Sequence, residues 1–208
     1  MSHETTTETG ATEVPTGNTY DKYASTNPVE RRMMEGFFSA FDAALDGPVP
    51  TSILEVGVGE GIVTARVHER FPDASVVGID LPDDDLAEHW REAHLACAFG
   101  DITALPLPDG CVDLVLAIEV FEHVDDPSAA LDEVARVCGG TLVASVPREP
   151  MWRIGNMARG RYLRDLGNTP GHVNHWGRRT FERFVDQRFD VMDVATPPPW
   201  TMIRARAR

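Results

Sequence analysis

Apolar residues in this chain cluster in short runs broken by turn residues, and the runs carry two periods. Asn27-Pro28 opens a stretch in which Met33, Phe37, Phe38 and Phe41 recur at helical spacing, predicting a helix to about Leu45. From there short apolar runs alternate with helical patterns. Residues 51–56 predict a first strand and 62–71 a helix. Residues 75–81 predict a second strand, with a helix near 84–94, and 96–102 a third. The loop L-P-L-P-D-G leads to a fourth strand at 111–120. Asp126 and Ser128 suit the cap of a helix running to Val137, with Gly139-Gly140 as its terminator. A fifth strand is predicted at 141–146, a helix at 180–187, and two final strands at 189–195 and 201–206. Parallel strands need a long crossover, and the linker of Pro197, Pro198 and Pro199 is too short for one. One of the last two strands must therefore run antiparallel.

The first strand breaks into a glycine turn. Residues 51–61 read T-S-I-L-E-V-G-V-G-E-G, and the helical pattern Ile62, Val63, Val67 starts at once. Strand, glycine turn, helix is an arrangement that brings backbone close to a nucleotide-like ligand. A pyrophosphate-binding turn would space its glycines G-x-G-x-x-G. Here they fall at Gly57, Gly59 and Gly61, with Glu55 two residues before the first and Glu60 between the last two, and carboxylates favour a cationic ligand over pyrophosphate. Nineteen residues after Gly61, the second strand ends in Asp80, whose carboxylate can accept two hydrogen bonds from a ribose diol. Leu81 follows with apolar surface. The third strand ends in Gly100-Asp101-Ile102, and the fourth carries C-V-D-L-V-L-A-I-E-V with Glu119 near its end.

On these four ordered marks the chain resembles the class I S-adenosylmethionine (SAM) methyltransferases, whose first motif is E/D-x-G-x-G-x-G, and within them the small-molecule branch. The resemblance covers nearly everything from Tyr20 onward. It implies a Rossmann-like α/β fold: a seven-stranded, mostly parallel sheet with helices on both faces and an antiparallel C-terminal edge hairpin. It implies SAM as cofactor, held by Tyr20, Glu55, Gly57, Gly59, Gly61, Asp80, Leu81, Asp101, Ile102 and Glu119, with Asp101 accepting from the adenine amino group. Tyr20-Asp21-Lys22-Tyr23 matches a segment that folds over the cofactor in related enzymes.

Composition adds limits. A chain of 208 residues with 42% hydrophobic content is one ordinary domain. Its net charge of −14 argues against holding long nucleic acid over a broad surface, and fits a high-salt cytoplasm and simple solubility equally. Residues 1–19 lack apolar periodicity and read as a disordered tail ahead of a single domain at 20–208. No signal peptide is expected, and no apolar run reaches membrane-spanning length. Cys97, Cys111 and Cys138 read as reduced, buried thiols, and the expected location is the cytoplasm. A homodimer is left open.

The stretch at about 148–176 departs from a minimal fold of this kind. Seven of the 18 arginines fall between Arg148 and Arg179, opposed only by Glu149 and Asp165 as far as Trp176. Apolar Met151, Trp152, Ile154, Met157, Tyr162 and Leu163 interleave with them. It reads as a lid for an anionic or lipid-linked acceptor, or as the solvated face of a covering helix. Gly155 and Gly160 predict bends in it.

The SAM methyl is already an activated electrophile, so chemistry needs positioning and, for a hydroxyl acceptor, a base. Glu119-Val120-Phe121-Glu122-His123 follows the fourth strand. His123 is the candidate base and Glu122 its orienting partner, with His175 as a further catalytic candidate; a histidine merely packing beside the cofactor is the alternative. E-x-x-E-H followed by a later histidine also resembles the divalent-metal site of small-RNA 2′-O-methyltransferases, which here implies Glu119, Glu122, His123 and His172 or His175. No metal is expected on balance. The expectation is methyl transfer, at oxygen, to a small or lipid-linked and anionic acceptor. Metal-assisted RNA-end 2′-O-methylation and a non-catalytic SAM-binding scaffold are the alternatives. The (D/N)-P-P-(Y/F) motif of base N-methylation and a Pro-Cys nucleophile are both absent.

Overall fold

The computed structural model describes residues 27–160 and 162–208; the expected tail at 1–19, Tyr20, Tyr23 and Arg161 lie outside the described residues. Asn27 caps the first helix, α1 (Pro28–Ala44), by accepting the Val29 N–H, and Pro28 supplies the fixed φ suited to a first turn. The chain then alternates β1 (Ser52–Val56), α2 (Ile62–Arg70), β2 (Ser75–Asp80), α3 (Asp84–Glu92) and β3 (Cys97–Phe99). After β4 (Val112–Ile118) come α4 (Pro127–Val137), β5 (Cys138–Pro147) and α5 (Met151–Ala158). A short 3-10 turn, Leu163–Asp165, precedes α6 (Arg178–Val185), β6 (Phe189–Ala195) and β7 (Trp200–Ala207).

Seven strands form one sheet in the order β3-β2-β1-β4-β5-β7-β6. Strands β1 to β5 pair in parallel, and β7 runs antiparallel to both β5 and β6. The expected fold class is therefore the observed one, with β7 as the reversed strand. Successive strand residues feed opposite faces. Ile53, Leu114, Leu116, Ile118 and Val143 pack with Phe37, Phe41, Val63 and Val67 of α1 and α2. Leu54, Val115, Ala117, Leu142 and Ala144 pack with Leu131, Val134, Phe181 and Val185 of α4 and α6. Both faces are buried, which is why these strands are continuous apolar runs rather than alternating ones. The chain moves outward from β1 in both directions, so the carboxyl ends of β1 and β4 border the crevice where open α/β sheets take ligands.

Three expectations are corrected. Gly139 and Gly140 do not terminate α4; they lie inside β5, which starts at Cys138. A Cβ at either would fall 2.6 Å from the Gly110 carbonyl oxygen or 2.2 Å from that of Asp113, so the need for glycine comes from the neighbouring chain. Cys111 is exposed and Cys97 half-buried, leaving only Cys138 in the core. Gly155 makes no bend, because α5 runs through it; Gly160, at φ 69°, lies just beyond the helix.

Candidate active site

The turn after β1 is left-handed at all three glycines, with φ of 72°, 50° and 79° at Gly57, Gly59 and Gly61. A side chain at Gly57 would strike Val120, its Cβ 2.4 Å from a Val120 methyl. Open space lies where a Cβ would stand at Gly59, so backbone is presented there without cover. Side chains from two other elements fix this turn. Asp80 Oδ2 accepts the Gly59 N–H at 2.6 Å, and Oδ1 accepts the Leu81 N–H at 2.7 Å. Trp90, on α3, donates its indole N–H to the Gly59 carbonyl at 2.7 Å. Burial raises the Asp80 carboxyl above its usual range, opposed by the Gly59 and Leu81 hydrogen bonds.

Glu55 lies within β1, buried, where its carboxyl takes the Thr64 hydroxyl hydrogen bond. Burial pushes its pKa from 4.5 to about 8; the Thr64 bond opposes the shift and the Asp80 charge adds to it. Burial therefore favours its neutral form, which weakens the negative charge that the sequence pattern places at the turn. Asp80 and the exposed Glu60 remain as sources of that charge. Leu81 is exposed beside Asp80, and Ile102 packs on the core edge. Exposed Asp101 accepts the Thr103 N–H and hydroxyl on Oδ1, an Asx-type turn that holds its carboxylate in place.

The opposite wall begins at Glu119, just past β4, with φ 60°. A left-handed glutamate costs energy and persists only when its surroundings hold it. Here the Trp200 indole N–H donates to Oε2 at 2.6 Å and the Ser145 hydroxyl to Oε1 at 3.2 Å, while the Glu119 N–H donates to the Ser145 carbonyl. Glu122 is buried and His123 exposed.

Residues 171–174 are laced onto this wall. The Val173 and Asn174 N–H groups both donate to the Glu122 carbonyl, and the Asn174 side-chain amide donates to the carbonyls of Phe121 and Val124. His123 Nδ1 lies 3.0 Å from the Gly171 carbonyl oxygen. A carbonyl can only accept, so Nδ1 carries the proton and Nε2 is the basic nitrogen of the neutral ring. His172 meets the His123 ring edge-on at 4.8 Å and stacks against Trp152 at 6.0 Å. Glu122, His123 and His172 thus each bring a ligand atom within 4.8 Å of the others. Two imidazoles and a carboxylate suit a borderline divalent ion.

Of the two histidines that the metal resemblance allows, His172 lies in this group and His175 does not, its Nε2 lying 2.7 Å from Asn168 Oδ1. Glu119 stays outside it, engaged by Trp200 and Ser145. Trp90, Asn174 and Trp200 were not singled out from sequence. Each acts on a residue distant in the chain, and a lone tryptophan or asparagine carries no spacing signal.

The model of a methyltransferase domain family matches residues 54–144, which contain the glycine turn, Asp80, Asp101 and Glu119. An uncharacterised methyltransferase of Mycobacterium tuberculosis is 31% identical over 174 residues, covering 80% of this chain and 81% of that protein. A malonyl-[acyl-carrier protein] O-methyltransferase of Geobacter sulfurreducens is 34% identical over 125 residues, but the match spans only 44% of its length. Among solved structures, a SAM-dependent methyltransferase from Aquifex aeolicus superposes with a TM-score of 0.66 over 88% of this chain and 94% of its own, at 15% identity. The chain belongs to the class I SAM-dependent methyltransferases. Its cofactor is SAM, and the Gly59 backbone, open where a Cβ would stand and with its N–H held by Asp80, is compatible with such a ligand.

Proposed function

We propose that this enzyme transfers the SAM methyl group to a hydroxyl oxygen of a small, anionic, lipid-linked acceptor, with His123 as general base. The single observation behind this reading is the Nδ1–Gly171 hydrogen bond, which leaves Nε2 as the basic nitrogen on the wall that follows β4. The acceptor hydroxyl gives its proton to Nε2. Bound SAM would supply the methyl group and leave as S-adenosylhomocysteine, with the acceptor's proton held on the His123 imidazolium. The likeness to the Geobacter O-methyltransferase supports oxygen as the acceptor atom.

In this reading the turn at Gly57, Gly59 and Gly61 approaches SAM, and Asp80 takes the ribose hydroxyls with lone pairs beyond those given to Gly59 and Leu81. Leu81, Asp101 and Ile102 border the adenine, and Glu119 lines the site from the end of β4. Residues 148–176 act as a cationic lid over the acceptor. His123→Gln should lower kcat by about a hundredfold or more, with SAM affinity unchanged on calorimetry. Unchanged turnover would overturn the base assignment.

A second reading rests on the Glu122, His123 and His172 grouping: a divalent ion that polarises the acceptor oxygen. Its ligand set differs from the one the sequence resemblance implied, since Glu119 is not in it. Activity that survives exhaustive chelation removes this reading and leaves the base reading standing.

A further inference from the structure

We propose that the face made by α5 and the turn after it docks on an anionic lipid bilayer. Twelve large apolar residues are exposed among the described residues, and six of them lie between Met151 and Val173. Within α5 the pattern is inside out. Met151, Ile154 and Met157, three apart on one helical face, are 41%, 56% and 37% exposed. The other face turns inward: Asn156 is buried and donates to the Gly167 carbonyl, and Trp152 packs on the α1 side of the core and donates to the Thr169 hydroxyl. Leu163 and Leu166 continue the outward apolar set at 58% and 67% exposure. Scattered apolar residues on a surface need no explanation, but a cluster on one helix and its turn marks a binding face.

Charge decides what it binds. The whole chain carries −14, yet this segment holds Arg148, Arg153, Arg159, Arg161 and Arg164 against Glu149 and Asp165. Arg153 donates to the carbonyls of Leu166 and Asp165, which position its charge without cancelling it. Arg159 pairs with Glu30 and so ties the segment to α1, and Arg164 is exposed. An apolar stripe in an arginine-rich segment suits the boundary between acyl chains and anionic headgroups. A protein interface would instead be expected to centre on aromatic anchors, and the tryptophan of this helix faces inward. Trp152 stacks on His172 behind this face, so docking would set the active site next to the headgroup layer. Naming lipid as the source of the acceptor rests on the function proposed above; bilayer binding itself needs no acceptor.

Co-sedimentation of the full chain with phosphatidylcholine vesicles, with and without phosphatidylglycerol, tests the assignment. The chain should pellet only with the phosphatidylglycerol-containing vesicles, and less so as salt rises. Ile154→Glu and Leu166→Glu should each weaken binding by about tenfold or more, with SAM titration confirming an intact fold. Arg164→Glu should weaken it severalfold and flatten the salt response. Absence of binding, equal binding to pure phosphatidylcholine, or indifference to Ile154→Glu and Leu166→Glu would overturn the assignment. So would a wild-type dimer, without vesicle binding, that Ile154→Glu turns into a monomer, since the occupant would then be a second copy. Loss of methyl transfer with retained vesicle binding would count against the acceptor reading alone.

Discussion

The two walls that the proposed function assigns to cofactor and acceptor are held by different means. On the cofactor side, Gly57, Gly59 and Gly61 are fixed by backbone conformation, by Asp80 and Trp90, and by strands buried on both faces. On the acceptor side, residues 148–176 leave the sheet and keep few apolar groups inside. They are stitched by side-chain bonds: Asn156 to Gly167, Trp152 to Thr169, Arg153 to Leu166 and Asn174 to Val124. The first wall tolerates little change in shape, whereas the second can be altered one stitch at a time.

That contrast can be broken most forcefully at Glu55. Its pKa is raised on folding, so the native state keeps a proton that the unfolded chain releases above about 4.5. Its contribution to stability is full below about 4.5 and is lost as pH rises through about 8. Thermal melts of the SAM-free enzyme should therefore fall across this window, by an effect on the order of a few kcal/mol. Glu55→Gln should flatten the curve. A parallel fall in the variant would mean that another group sets the pH response.

Next in size is Asp80→Ala. It removes the acceptor for the Gly59 N–H as well as the expected ribose contacts, and charge-assisted bonds are each worth about 1.5–3 kcal/mol. SAM affinity measured by calorimetry should drop by about tenfold or more, with the acceptor KM little changed. A drop in acceptor affinity alone would erase the distinction between the walls.

Asn174→Ala should have the smallest effect, about 1 kcal/mol for the lost bonds to Phe121 and Val124. It should loosen His172 from Glu122 and His123, raising the acceptor KM severalfold and leaving SAM affinity alone. Steady-state kinetics beside a SAM titration separates the two; weaker SAM binding would show that the walls are coupled.

The glycine turn and its tie to Asp80 were largely legible in the sequence because their signal is local. Strand, glycines and helix are contiguous, and Asp80 ends the next strand. The acceptor wall was only half legible. Glu122 and His123 stood out together, but the choice of His172 over His175 depends on how Asn174 fastens across 50 residues to Val124. Trp200 reaches Glu119 across 81 residues, and nothing in a tryptophan's neighbours announces such a bond. Gly139-Gly140 misled because glycines after a helical pattern resemble a terminator, while their actual constraint, the backbone at Gly110 and Asp113, belongs to another part of the chain.

The excursion at 148–176 is closed at its base. Arg148 and Trp176 form a parallel bridge, the Glu149 N–H donates to the Trp176 carbonyl, and the Arg148 N–H to that of Pro199. A stretch of chain whose two ends are clamped side by side can be lengthened at little entropic expense, since closure cost grows only with the logarithm of loop length. The sheet is therefore insulated from whatever is inserted between the clamps. In the proposed reading, evolution or an engineer can exchange that cassette to redirect the methyl group to a new acceptor and leave the glycine turn untouched.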